Sequence, residues 1–207
     1  MGKRLLTVVY PRFAEWELVT PLACLPAEVE CVYASVGEQR VYGIMGLALD
    51  AHLTLRDVNA NKFDALLLPG GLESDEKCFP RRLGEDETLL DLLSEFARQD
   101  KPVAAVCGAP LVLGAAGLLE GRHFACDVTE DTRGWLDTGC RAEGFLALDG
   151  PILTASVRAL GPFSMTLAQL LEAQQLLPSG QGAAGNAIRT PSVTAPDSWY
   201  GPVTRPR

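Results

Sequence analysis

A chain of 207 residues suffices for one α/β domain with a core of ordinary size. At 47% hydrophobic and 21% charged residues it reads as an ordinary soluble globular protein, neither disordered nor membrane-embedded. Its formal net charge of -8 speaks against a nucleic-acid partner, which would require a basic face.

Lys3 and Arg4 precede an apolar run that stops at Pro11-Arg12. The run is too short for a secretory leader and lacks a small-residue cleavage site, so residues 4–10 read as a first strand buried on both faces. A loop and a helix follow, with Trp16, Val19 and Leu22 on one side and Pro21 expected to kink or shorten it. Residues 29–36 (VECVYASV) form a second strand, and residues 37–50, with Gly43 and Gly46, read as a small hairpin or edge excursion. The third long strand, residues 63–68, closes on Pro69-Gly70-Gly71. Such a turn lets backbone N–H groups line a pocket without side-chain obstruction, although Pro-Gly-Gly is also an ordinary loop. Residues 85–99 carry acidic residues in the first turn, apolar ones at Leu89, Leu90, Leu92, Leu93 and Phe96, and Arg98 near the end, as a surface helix does.

The stretch KPVAAVCGAPLVLGAAGLL, residues 101–119, organises the rest. A short strand over 103–106 runs into Cys107 at a turn and then into a helix from Pro110 to Gly117, Pro110 suiting a first helical turn. A cysteine at such a corner is pushed out of the sheet as in a nucleophile elbow, and Ala105, Gly108 and Ala109 are small enough to allow the sharp turn. The helix N-terminus would then favour its thiolate. The alternative is that Cys107 is one more buried small hydrophobe. Residues 122–126 read as another strand. Residues 145–148 and 151–155 pair through Asp149-Gly150. Residues 161–177 form the closing helix, with Pro162 at its start and Pro178 after it.

One domain therefore spans residues 1–177. Residues 178–207 are a Gly/Pro/Ser-rich C-terminal tail anchored only by Trp199 and Tyr200. No internal repeat occurs, and no stretch approaches the roughly 18 apolar residues of a membrane span. Six cysteines, at 24, 31, 78, 107, 126 and 140, show no CxxC or metal-finger spacing and suggest reduced thiols in a cytoplasmic setting. Alternating strands and helices imply a parallel sheet covered on both faces, with ligands at the carboxyl ends of its strands. That gathers the loop after Tyr10, the Pro69-Gly70-Gly71 turn and the Cys107 corner, with Glu17 just beyond the first.

The pairing of DALLLPGG (residues 64–71) with AAVCGAP (residues 104–110), with Glu17 upstream, resembles the ThiJ/PfpI superfamily, which includes the Parkinson-disease-associated deglycase family. The likeness covers roughly residues 4–176. It implies a flavodoxin-like three-layer α/β/α sandwich with a mostly parallel sheet, a cysteine nucleophile elbow and a homodimer. In that family a glutamate on the first helix, shortly before a proline, hydrogen-bonds the cysteine. The segment EWELVTP offers Glu17 in that place and Glu15 as its competitor, while both also read as solvated surface carboxylates. A carboxylic acid kept protonated by burial can donate to a thiolate.

The family commonly adds a histidine near the cysteine, and this chain departs from that pattern. Asp127, or with a one-residue slip Cys126, stands at the equivalent position, and Gly108 follows Cys107. His123 lies about 13 Å along an extended strand from position 127, and His52 reads as a surface residue. Peptidase chemistry loses its usual base, and no histidine after His123 supplies the downstream His-x-Glu of a class I glutamine amidotransferase.

Three functions follow from this reading. In the first, the Cys107 thiolate attacks a small reactive carbonyl such as a 2-oxoaldehyde to form a hemithioacetal. Glu17 moves the proton between carbons, and the Gly71 and Gly108 N–H groups hold the oxyanion. In the second, a redox-responsive stress protein, Cys107 is oxidised to a sulfinic acid held by Glu17. In the third, a non-catalytic fold serves binding or dimerisation. None requires a cofactor, the cysteine and histidine spacing matches no metal site, and Gly70-Gly71-Leu72-Glu73 is not a phosphate loop. The expected partners are a small carbonyl or oxidant and a second copy, with no nucleic acid and no membrane.

Overall fold

The computed structural model describes residues 2–73, 81–131 and 133–176, so the tail over 178–207 and Cys78 lie outside the described residues. The element order is β1 (Arg4–Val9), α1 (Glu15–Ala23), β2 (Glu30–Ser35), β3 (Arg40–Tyr42), β4 (Ala48–Asp50), β5 (Leu53–Thr54), β6 (Ala65–Leu68) and α2 (Glu87–Arg98). It continues with β7 (Val103–Val106), α3 (Pro110–Ala115), β8 (His123–Phe124), β9 (Cys140–Arg141), β10 (Leu146–Asp149), β11 (Ile152–Ala155) and α4 (Leu160–Leu176).

Seven strands form one sheet in the order β10-β11-β7-β6-β1-β2-β5. All neighbours pair in parallel except the β10–β11 hairpin, as Asp149-Gly150 between the two strands leads one to expect. The period of two along buried strands sorts side chains into two cores. Leu6, Val8, Val103 and Ala105 pack on one face with Leu93 and Phe96 of α2 and Leu111 of α3. Leu5, Ala104 and Val106 pack on the other with Phe163, Leu167 and Leu171 of α4, joined by Leu22 and Leu25 at the end of α1. The result is a flavodoxin-like sandwich of three layers. Strand order reverses between β1 and β6, which opens a crevice at their carboxyl ends beside the end of β7.

Three elements differ from the sequence reading. The strand expected over 122–126 shrinks to β8, which pairs with β9 in a separate two-stranded sheet. Its continuation is drawn off by other partners: the Ala125 N–H donates to Thr154 Oγ1 at 3.0 Å, and the Asp127 N–H to the Cys107 carbonyl at 2.8 Å. The helix after Cys107 has only six residues, Pro110–Ala115, and the chain leaves it through Gly117 at φ +72°. On α1, Trp16 and Val19 are 39% and 53% exposed, whereas Glu15 and Glu17 are buried. Burial of those carboxylates is tolerated because both find backbone donors. The region over 37–50 is the expected hairpin, β3 paired antiparallel with β4.

Candidate active site

The crevice is built from three chain turns. After β1, Tyr10 is fully buried and its hydroxyl donates to the Pro69 carbonyl at 2.7 Å. Arg12 takes a left-handed conformation at φ +67°, and its carbonyl accepts the Leu72 N–H at 3.0 Å. The Ala14 N–H donates to the Gly70 carbonyl at 2.8 Å, and Phe13 bridges to Gly71. These bonds tie the start of α1 to the end of β6.

Gly70 is the closest point of the assembly. A Cβ there would lie 2.6 Å from Glu17 Oε2 and 2.7 Å from Cys107 Cβ, so only glycine fits. A Cβ on Gly71 would meet the Arg12 carbonyl at 2.5 Å. The Pro-Gly-Gly turn thus permits close backbone approach, beyond what an ordinary loop needs.

Cys107 sits at the strand-to-helix corner with φ +64°, a conformation that costs a non-glycine residue energy. Its N–H donates to the Ala155 carbonyl and its carbonyl accepts the Asp127 N–H, both at 2.8 Å, so the corner is held from both sides. The side chain is half-buried. It donates to Glu17, which is 1% exposed and whose Oε2 accepts the Gly70 N–H at 2.7 Å. Glu15, also buried, turns instead to the hairpin, where its Oε1 accepts the N–H groups of Met45 at 2.7 Å and Leu47 at 3.3 Å.

Burial pushes the Glu17 carboxyl up to about 7, with the Asp127 charge adding to it and hydrogen bonds from Gly70 and Cys107 opposing it. Burial likewise pushes the Cys107 thiol far above its usual range, followed by the charges of Glu17 and Asp127, while a Gly108 N–H at the sulfur works the other way. This reverses the expected influence of the helix N-terminus. α3 has only six residues, and the nearby donors are already engaged, Ala109 N–H with Val106 and Leu111 N–H with Gly108. Above pH 7 the pair therefore rests as thiol and carboxylate, not as thiolate and carboxylic acid.

Asp127 is the neighbour of Cys107, through its backbone and through its charge. Its exposed carboxylate accepts the Val157 N–H at 2.7 Å. Cys126 points into the core, its sulfur accepting the Val128 N–H at 3.4 Å and its thiol raised to about 11 by burial. His123 is exposed and faces Asp149, at 3.4 Å. His52 stacks on Tyr33 and accepts its N–H at 3.0 Å. Tyr10, absent from the sequence-based selection, is the buried wall beside the pair, its own hydroxyl pushed up by burial and by the charges of Glu17 and Cys107. Its only sequence signal is an aromatic residue ending the first strand. Among the described residues no group of three or more His, Cys, Asp or Glu side chains is arranged to hold a metal, and no helix is long and apolar enough to cross a membrane.

Residues 3–156 match the DJ-1/PfpI family. The chain is 35% identical over 111 residues to the deglycase PfpI of Pyrococcus furiosus, across 53% of this chain and 63% of that protein. It is 32% identical over 121 residues to a deglycase of Pyrococcus abyssi, across 58% of this chain and 69% of that protein. Among solved structures, Drosophila melanogaster DJ-1beta superposes with a TM-score of 0.70 over 86% of this chain and all of its own, at 21% identity, a likeness of fold.

Proposed function

Because the chain belongs to the DJ-1/PfpI family, we propose that it is a deglycase-like enzyme in which Cys107, served by Glu17, acts on small reactive carbonyls, 2-oxoaldehydes in particular. The observation that carries this reading is the buried Glu17 carboxyl set between the Gly70 N–H and the Cys107 thiol, with its titration raised to about 7. A base poised near the working pH is the effective one, and its position replaces the missing histidine.

The Glu17 carboxylate takes the thiol proton as the sulfur attacks the aldehyde carbon. The S–C bond forms, the carbonyl π pair moves to oxygen, and the Gly71 and Gly108 N–H groups hold the oxyanion. Return of the proton from Glu17 gives the hemithioacetal. Glu17 then removes the hydrogen from that carbon as a proton and delivers it to the neighbouring carbon, while the hydroxyl proton of the first carbon passes to the oxygen of the second, leaving a 2-hydroxy thioester. Water hydrolyses the thioester, freeing a 2-hydroxy acid and restoring the thiol. One carbon is oxidised and its neighbour reduced, so the sequence balances with water alone. Asp127 supports it by helping to keep Glu17 titrating near neutrality. A homodimer and a reduced, cytoplasmic setting complete the proposal, in keeping with the free state of the five described cysteines.

Methylglyoxal consumption tests it. The rate is expected to rise with pH to half its maximum near 7, to vanish in Cys107→Ser, and to fall at least about 100-fold in Glu17→Gln. Turnover that persists in Cys107→Ser overturns the assignment of the nucleophile. Peroxide modification of Cys107 without turnover selects a redox sensor, and neither result selects a binding protein.

A further inference from the structure

We infer that Glu15 is a positioning residue, which locks the β3–β4 hairpin onto the first turn of α1 and so fixes the direction in which Glu17 reaches Cys107. The inference rests on the reading of Cys107 and Glu17 as the reacting pair.

Two residues apart on a helix, Glu15 and Glu17 point about 200° from one another around its axis. Glu17 enters the crevice at Gly70, and Glu15 enters the loop of the hairpin on the other side. The loop is shaped to receive it. Gly43 packs so closely on the Glu15 carboxyl that a Cβ there would stand 2.2 Å from Cδ. Two backbone bonds reinforce the same junction, Arg12 N–H to the Tyr42 carbonyl at 2.7 Å and Ile44 N–H to the Phe13 carbonyl at 3.0 Å. The segment from Arg12 to Glu17 is thus a bridge, held by the hairpin on one side and by Gly70 and Gly71 on the other.

Leu18 is the one apolar side chain that α1 buries in its first turn. α1 has nine residues, Trp16 and Val19 face outward, and its N-cap residue Ala14 offers no side-chain cap. Polar pins therefore set its rotation together with Leu18. Glu15 Oε2 is buried with no hydrogen-bond partner among the described residues, so the side chain is held by what Oε1 does. Its burial is 2% exposure for a residue type that solvent ordinarily claims.

The test is the rate of iodoacetamide alkylation at Cys107, followed peptide by peptide from about pH 4 to about pH 10 in the full chain. The wild-type protein is expected to show a limb near pH 7, where Glu17 ionises facing Cys107, Tyr10 and Asp127. In Glu15→Ala the first turn loses its pin, Glu17 leaves its seat, the rate falls at least about tenfold, and the limb moves toward the ordinary glutamate value of 4.5. Glu15→Gln keeps an acceptor oxygen and is expected to hold the limb near 7. Met45→Pro deletes the 2.7 Å donor without touching α1, leaves the longer bond from Leu47, and should move the profile in the direction of Glu15→Ala, whereas Met45→Ala should match wild type. The Met45 pair decides the matter if Glu15→Ala does not fold. A folded Glu15→Ala or Met45→Pro protein with an unchanged limb overturns the role of Glu15 alone. A wild-type protein unreactive at Cys107 overturns the reacting pair, and this inference with it.

Discussion

At the residue scale, one carboxyl links chemistry to stability. Glu17 titrates near 7 in the folded chain against 4.5 in an ordinary setting, so the folded state holds this proton more tightly than the unfolded state. Its contribution is fully present below pH 4.5 and is lost as pH rises through 7. Glu17→Gln cannot ionise, and its carbonyl still accepts from Gly70. Its stability relative to wild type should rise between those two pH values, by about 3 kcal/mol in all, as read by denaturant unfolding at a series of pH values. Cys107 and Glu17 were legible in sequence because a strand running into a small-residue turn and a family-like helix segment mark them locally. The sign of the thiol shift was not, since it depends on burial and on the Asp127 charge arriving from twenty residues away. Tyr10 was missed for the same reason, because its role exists only once β1 lies beside β6.

At the element scale, the helices divide by what orients them. α2 buries Leu89, Leu92, Leu93 and Phe96 on one stripe and begins at Asp86, whose side chain accepts the Leu89 N–H at 3.0 Å. Asp86→Ala should therefore cost about 1 kcal/mol in thermal unfolding while leaving Cys107 alkylation unchanged. That helix could be read from its apolar period. α1 could not, because its period places Trp16 and Val19 outward and buries, beside Leu18 and Pro21, two carboxylates with distant backbone partners. β8 stops after two residues because its continuation bonds to Thr154 and Cys107 instead of a ladder, which apolar character alone does not reveal. β5 and β9, two residues each, carry no period at all.

At the scale of the whole molecule, the order of strands does most of the work. A parallel sheet with helices on both sides was readable from alternation, and the family resemblance added the arrangement of its layers. The reversal between β1 and β6 then places three turns, far apart in sequence, around one sulfur. The left-handed backbone at Cys107 sets the fold against the residue proposed as its nucleophile. A residue with a Cβ is strained there, and a glycine is not. Cys107→Gly should melt higher than wild type, by the equivalent of about 1 kcal/mol, while being chemically inert. Change to glycine at this position is rewarded with robustness and penalised only through lost reactivity. A lineage released from that reactivity would drift toward a sturdier, silent protein.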